Sequence, residues 1–446
     1  MNSENRITSN GAFILAIAGA AIGLGNIWRF PYVAGENGGS LFFLLYLAFV
    51  VLMGLPVMMA EIVIGRAGRA SPASSLRKLA QASGANRHWS KLAWLGTLTA
   101  TLVLSFYSVV SGWTLYYAFG SISGNLHFFT MQQSGMVLDE FLLSPTLVLL
   151  FHTLFIAMTV AISGRPISRG IETLNNWLMP LMYFILLLLV IYASGFKGFP
   201  AALDYLFSLK AQAVTGAVLV EALGHAFFTL AIGACCLMAY GAYMPSGQSI
   251  VKAVLVVAVL DVLVAVLVGI AIFSVVFTEG MAPNAGPGLM FVTLPVALGN
   301  MPMGDWALPL FFLLLVMATW TSAVNLAEPL VVMATRLTGG RRSRGALIAG
   351  VIVWLIGLIP ALAFNLWKDV ELLPGQGIFD LYTALATQIL LPITGLLILF
   401  FAGYVLERKI LVQQLGLQGS TLMFWQCLIR YVSPMLLVVI ILGALL

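Results

Sequence analysis

Residues 11–32 read GAFILAIAGAAIGLGNIWRFPY, and the groups here that can do chemistry belong to the backbone as much as to side chains. Gly19, Gly23 and Gly25, followed by Asn26, Arg29 and Pro31, weaken helix propagation in a stretch long enough to cross a bilayer. The spacing predicts a broken membrane helix. Non-helical backbone at membrane depth persists only where it is buried in protein or lines a polar cavity, and its freed carbonyls and helix-end amides suit cations and carboxylates. A second stretch, residues 216–243, places His225, Thr229 and Gly233 at mid-depth. Glycines alone would also serve close helix packing, but Asn26, Arg29 and Pro31 have no such use. The chemistry implied is ligation of an ion and a small anionic group at a transport site.

The elements that position these groups are membrane helices. The chain is 61% hydrophobic and 8% charged, which excludes a soluble globular domain. Apolar runs punctuated by Gly, Pro and polar residues predict about eleven spans, near 11–33, 40–65, 92–120, 145–162, 171–193, 216–243, 252–278, 303–335, 344–364, 376–405 and 420–446. Most of the 21 basic residues fall in alternate connections. The net charge of +5 therefore marks sidedness, with the N-terminus in the cytoplasm and the C-terminus outside, rather than a nucleic-acid partner. The two broken stretches are the first and sixth spans, an offset of five. An odd offset inverts the second unit relative to the first, the mark of an inverted-repeat transporter with its site between the breaks. The expected organisation is a single membrane domain, 1–446, with repeats at 11–193 and 216–405 and an accessory helix at 420–446.

Other classes fit less well. A cleavable signal peptide ending at the AGA of 18–20 would have an n-region with one Arg and one Glu and would leave GLGN beyond the cut. Cys235, Cys236 and Cys427, with four scattered histidines, suggest neither a disulfide framework nor a metal centre. An enzyme would need a nucleophile with its base or a metal cluster, and neither HExxH nor GxSxG occurs. A channel would need a continuous polar pore, whereas the polar residues here concentrate at two breaks. The alternative that stays open is a transporter-like amino-acid sensor without net transport.

The motifs GAAIGLGNIWRFPYVAGENGG, GLPVMMAEIVIGR, GHAFFTLAIG and ATWTSAV resemble the neurotransmitter:sodium symporter family over nearly the whole chain. The resemblance implies an all-α polytopic protein with a leucine-transporter-type 5+5 inverted repeat and broken first and sixth helices. It implies a multi-pass bacterial inner-membrane protein that imports neutral hydrophobic amino acids by sodium symport, with no catalytic residues. Two sodium sites are expected: the first from Ala21, Asn26, Thr229 and Asp261, the second from Gly19, Ile22, Ala318, Thr321 and Ser322. Asp261 lies mid-span, where an ionisable group is costly and functional by default; Thr321 and Ser322 alone could simply bond back along their helix.

The substrate carboxylate would meet the amides of Gly23, Leu24 and Gly25 and the Tyr107 hydroxyl, beneath Phe228. Amine-transporting relatives carry an aspartate at the Gly23 position, so here the substrate brings its own carboxylate. The pocket would comprise Ala20, Ala21, Val103, Tyr107, Phe228, Thr229, Ala231, Ala234, Ser322 and Leu326 with those three. Small Ala234 leaves room for large aliphatic or aromatic side chains.

Arg29 and Asp380 match the family's outer gate, and Glu61 and Glu328 match acids that accept freed backbone amides. Gly170 and Pro180 match a spacing tied to unwinding of the fifth helix, although they are also ordinary helix punctuation. Three departures stand out. Ile7 replaces the N-terminal tryptophan of the inner gate, and His225 replaces glutamine. The inner charge pair falls with signs exchanged on Glu4 and Arg336, charges that positive-inside topology explains equally well. Glu221 and His225, four apart, could pair. At the chloride position, formed by Tyr46, His225, Thr229, Asp261 and Ala265, Asp261 supplies a fixed negative charge, so no chloride requirement is expected.

Overall fold

The computed structural model describes residues 7–126, 130–209, 214–284, 286 and 288–445. Ser9 caps α1 (Asn10–Ala21), its side chain accepting from Ala12 N, and the chain then bends by 51° into α2 (Gly25–Glu36), whose first turn is π-helical. The helices that follow are α3 (Ser40–Gly68), a short α4 (Pro72–Ala82), α5 (Arg87–Ile122), α6 (Met131–Leu143), α7 (Pro145–Ser163), α8 (Ser168–Ser194) and α9 (Phe199–Phe207). The second broken element is α10 (Gly216–Thr229) and α11 (Cys236–Tyr243). Beyond it lie α12 (Ile250–Thr278), α13 (Leu289–Gly299), α14 (Gly304–Leu337), α15 (Arg342–Leu362), α16 (Ile378–Val405), α17 (Arg408–Leu415) and α18 (Gly419–Leu445). A two-stranded antiparallel hairpin, β1 (Glu371–Leu373) and β2 (Gln376–Gly377), precedes α16.

Among the described residues nine helices are long and apolar enough to cross a bilayer, ten with the bent α1–α2 pair; the halves of the second broken element are each shorter. Their ends fall within a few residues of the spans read from sequence. The short helices α4, α6, α9, α13 and α17 and the hairpin were not foreseen, because none carries a membrane-length apolar run.

Leucine-, isoleucine- and valine-rich faces of the outer helices point away from the bundle: Trp177, Ile191, Val259 and Leu347 are all exposed, as a lipid-facing belt requires. Inside, α5 packs along α14, and α1 lies against α8, α12 and α14. Half-helix α11 lies on α3 through a seam of small residues, where a Cβ on Gly65 would sit 1.9 Å from Met238 O and one on Gly241 2.5 Å from Ile62 O. This close packing fixes α11 while the chain above it is irregular.

Candidate functional site

The two breaks face each other. A Cβ on Gly25 would lie 3.2 Å from Thr229 Cα, so glycine sets their separation. The second break is conformationally special: Ala231, Gly233 and Cys235 all take positive φ (52°, 83° and 57°), a left-handed backbone that costs energy for the two non-glycine residues and gathers at functional sites. Glu61, fully buried on α3, accepts from Gly233 N at 2.7 Å and so ties the break to the packed seam below it.

Between the breaks is a cavity of about 30 Å³ lined by Ala20, Ala21, Gly23, Leu24, Gly25, Val103, Tyr107, Phe228, Thr229, Ala231, Ala234, Ser322 and Leu326, all the residues expected at the pocket, together with Ile232 and Leu391. Ile232 shares the break with Ala231 and could have been found there; Leu391 is an apolar residue in an apolar span and carries no sequence signal. The volume is about that of one water, so admitting an amino acid requires the lining side chains to part. Leu24 N donates to Tyr107 Oη (3.2 Å), and the tyrosine hydroxyl is also hydrogen-bonded to the Ser322 side chain. Gly23 has no room for a side chain: a Cβ would stand 2.4 Å from both the Ser322 and Tyr107 hydroxyl oxygens.

Asp261, fully buried on α12, gathers the residues expected at the first sodium site. Asn26 Nδ2 donates to its carbonyl (3.0 Å) and to Oδ1 (2.8 Å), Tyr46 Oη to Oδ2 (2.9 Å), and Thr229 Oγ1 lies 3.1 Å from Oδ1. Asn26 Oδ1 accepts from Gly23 N (3.2 Å) and keeps a second lone pair. Ala21 lines the adjoining cavity. At the second expected site, Ser322 Oγ donates to Gly19 O (3.0 Å) and Ile22 O (2.8 Å), while Thr321 Oγ1 meets Ala318 O (3.0 Å). Both sets consist of hard oxygens, the donors an alkali cation requires, and the first carries one formal negative charge. The residues present fit sodium.

Some expected contacts are not the ones formed. Arg29 and Asp380 both line a vestibule of about 480 Å³ above Phe228, but Arg29 Nη2 lies 3.3 Å from Glu221 Oε2, with its guanidinium over the Phe228 ring, while Asp380 Oδ2 accepts from Gly377 N (3.4 Å) at the start of α16. Glu221 on α10 is the nearer acid, and Asp380 is engaged by its own helix terminus. The same contact overturns the pairing of Glu221 with His225. Glu221 faces the arginine, whereas His225 points inward, fully buried among Phe30, Phe42 and Tyr46 at centroid distances of 5.7, 5.7 and 5.0 Å. Among the described residues Glu328 receives no freed amide; its partners are Arg342 and Tyr243. Arg336 donates to Ser74 Oγ (2.8 Å), and Glu4, its expected partner, lies outside the described residues. Gly170 sits in a π-helical turn at the start of α8, and Pro180 lies inside that helix.

Two broken helices meeting at a small buried cavity inside an apolar bundle define a secondary transporter, not an enzyme. The chain matches the sodium:neurotransmitter symporter family over residues 5–137 and 130–446, and it belongs to that family. It is 32% identical to the uncharacterized sodium-dependent transporter YhdH of Bacillus subtilis, over 97% of this chain and 95% of that one. It is 27% identical to the sodium- and chloride-dependent GABA transporter 2 of Rattus norvegicus, over 79% of this chain and 66% of that one. Among solved structures it resembles MhsT in complex with L-phenylalanine, with a TM-score of 0.90 and 36% identity over 99% of each chain. The fold is all-α, polytopic and leucine-transporter-like, and the protein is a sodium-dependent, multi-pass membrane transporter of a small molecule.

Proposed function

We propose that this protein is a sodium-coupled symporter that imports neutral hydrophobic amino acids, large aliphatic or aromatic, by alternating access and without a chloride requirement. The observation that carries the reading is the shared wall of cavity and ion cluster: Thr229 lines the cavity and bonds Asp261, while the backbone of the Gly23–Gly25 break and Tyr107 line the same cavity, where a carboxylate would sit. Apart from Thr229, Tyr107 and Ser322 the lining side chains are apolar, which suits a hydrophobic side chain. MhsT, at 36% identity, was crystallised with L-phenylalanine, which supports an aromatic substrate for this chain too. The repeats are residues 11–193 and 216–405, with 420–446 accessory; the chain sits in a bacterial inner membrane with its N-terminus in the cytoplasm and its C-terminus outside.

Bound sodium would supply positive charge beside the substrate carboxylate. Ala21, Asn26, Thr229 and Asp261 would hold one ion, and Gly19, Ile22, Ala318, Thr321 and Ser322 the other. Purified protein in proteoliposomes should accumulate labelled phenylalanine or leucine under an inward sodium gradient, and substituting potassium should abolish it. Sodium-dependent binding without accumulation would instead identify a sensor.

A further inference from the structure

Arg430 lies on α18 in a π-helical turn (Leu428–Val432), beside a second π-helical turn (Phe401–Val405) that ends α16. Its Nε donates to Gly403 O at 2.7 Å, and its guanidinium lies over the Tyr404 ring, 5.4 Å from the centroid. Tyr404 Oη donates back to Arg430 O at 3.1 Å. Glycine at 403 lets the arginine stem lie across α16, since a Cβ there would stand 3.1 Å from Arg430 Cγ. Gly403 O belongs to the last turn of a helix, where carbonyls lack partners within the helix and a nearby cation is favoured. Nε meets that need. The forked end of the guanidinium is left over: among the described residues neither Nη atom donates to a protein oxygen, and Arg430 makes no ion pair.

The level of this fork decides what can meet it. Gly403 and Tyr404 lie within about one turn of Glu407, Arg408 and Lys409, the exposed charged residues that follow α16, so the guanidinium stands at a membrane boundary. The proposed orientation places that boundary on the cytoplasmic side. Arg87 and Lys91, exposed on either side of Trp89, add to Arg408 and Lys409 in making this end of the bundle basic against the single charge of Glu407. Trp89 stacks on Phe400 (centroids 5.9 Å apart, 19° between planes), which carries the basic α5 end to the same helix as Tyr404. Phe400, Tyr404, Phe424 and Tyr431 are each half exposed or more, so the fork is set in an aromatic surface facing lipid. A free anion has no use for such walls. A phospholipid uses both parts, its acyl chains against the rings and its phosphate on the fork, which matches phosphate oxygens two at a time.

We infer that Arg430 and Tyr404 form a binding site for the phosphate of an anionic phospholipid, its chains on the aromatic surface of α16 and α18 and its net charge toward the basic connections. The site shares no residue with the cavity between the breaks. It depends on the proposed orientation only for the leaflet, and its test measures neither substrate nor uptake.

Delipidated protein in detergent would be titrated with phosphatidylglycerol or with phosphatidylcholine, with bound lipid counted by mass spectrometry of the intact protein and the unfolding temperature followed in parallel. Phosphatidylglycerol should bind about tenfold more tightly than phosphatidylcholine and raise the unfolding temperature further. Arg430→Gln should lower the phosphatidylglycerol affinity by about tenfold and leave phosphatidylcholine unchanged. Arg430→Lys keeps a charge and a donor for Gly403 O but lacks the fork; it should lose affinity by a smaller factor, and it carries the test if the glutamine variant does not fold. Lys409→Gln should cost less than either, since a solvated charge supplies only diffuse attraction. Unchanged selectivity in folded Arg430→Gln and Arg430→Lys proteins overturns the inference, as does a loss in Lys409→Gln equal to that in the arginine variants. Stabilisation by inorganic phosphate that matches phosphatidylglycerol and depends on Arg430 overturns it too, because the ligand would then be a free anion.

Discussion

Thr229 and Asp261 meet across two helices, the hydroxyl 3.1 Å from one carboxylate oxygen and 3.3 Å from the other, with both residues buried. Thr229 also lines the cavity, so one side chain belongs to the substrate space and to the ion cluster at once. A ligand carboxylate placed at the opposing break would share its surroundings with a cation beside Asp261, which gives substrate and sodium a reason to bind together.

Asn26→Ala and Thr321→Ala should each lower sodium affinity by about tenfold or more, since metal sites lose that much even from outer-shell changes. The measurement is substrate binding as a function of sodium concentration. Asn26→Ala also strips Asp261 of its shortest donor and should be the more damaging. Unchanged sodium curves in both proteins would remove the assignment of the two sites.

Gly23→Ala should cost at least about tenfold in substrate affinity. Its new methyl would intrude on the Ser322 and Tyr107 oxygens at once, and overpacking of this kind costs roughly 1–3 kcal/mol. Binding by calorimetry with thermal unfolding in parallel separates a blocked site from a misfolded protein; tight binding would show that the break carries spare room.

Ala234→Phe fills the cavity from the second break. Large substrates should lose more affinity than alanine or valine, by roughly 1–3 kcal/mol. Competition binding across a size series reads this out, and equal losses throughout would place Ala234 outside the side-chain space.

The breaks and the spans were legible in sequence because glycine, proline and buried polar residues inside apolar runs leave few physical readings, whereas the cavity lining came through the family resemblance. Asn26 and Asp261, 235 residues apart, could be brought together only through the family resemblance. What stayed hidden depended on which partner lies nearer in space. Arg29 had two acids within its reach, Glu221 and Asp380, and sequence spacing could not rank them. The fork of Arg342 on Glu328 was equally silent, since an arginine near a membrane boundary reads as sidedness. The left-handed Ala231 and Cys235 show nothing in their residue types, because packing around the break imposes a backbone that neither prefers.

Arg29 offers a test with opposite signs. It is held by Glu221 while the vestibule separates it from Asp380. If closing the outer side moves it to Asp380, Glu221→Gln should favour closure and Asp380→Asn should favour the open vestibule. Each shift should be modest, since exposed pairs contribute about 0–1 kcal/mol. The rate of maleimide labelling at a Thr383→Cys probe in the vestibule should fall in the first variant and rise in the second. Movement in the same direction would show that the two acids are not alternative partners.

The proposed chloride independence rests on the charge at Asp261. A cation held in a low-dielectric site is expensive unless a negative charge lies close by. Asp261 provides one on the chain itself, fixed by Asn26, Tyr46 and Thr229, whereas Ala265 one turn on provides none and, among the described residues, neither nitrogen of the enclosed His225 ring has a hydrogen-bond partner. Wild-type uptake should therefore run equally well when chloride is replaced by gluconate. Asp261→Asn keeps the size of the side chain and an oxygen ligand but removes the charge, so uptake should vanish or return only on addition of chloride, the small anion that fits beside the Tyr46 and Thr229 hydroxyls. Strong chloride dependence of the unmutated protein would mean that Asp261 does not balance the cation, and would return it to the role of a ligand alone.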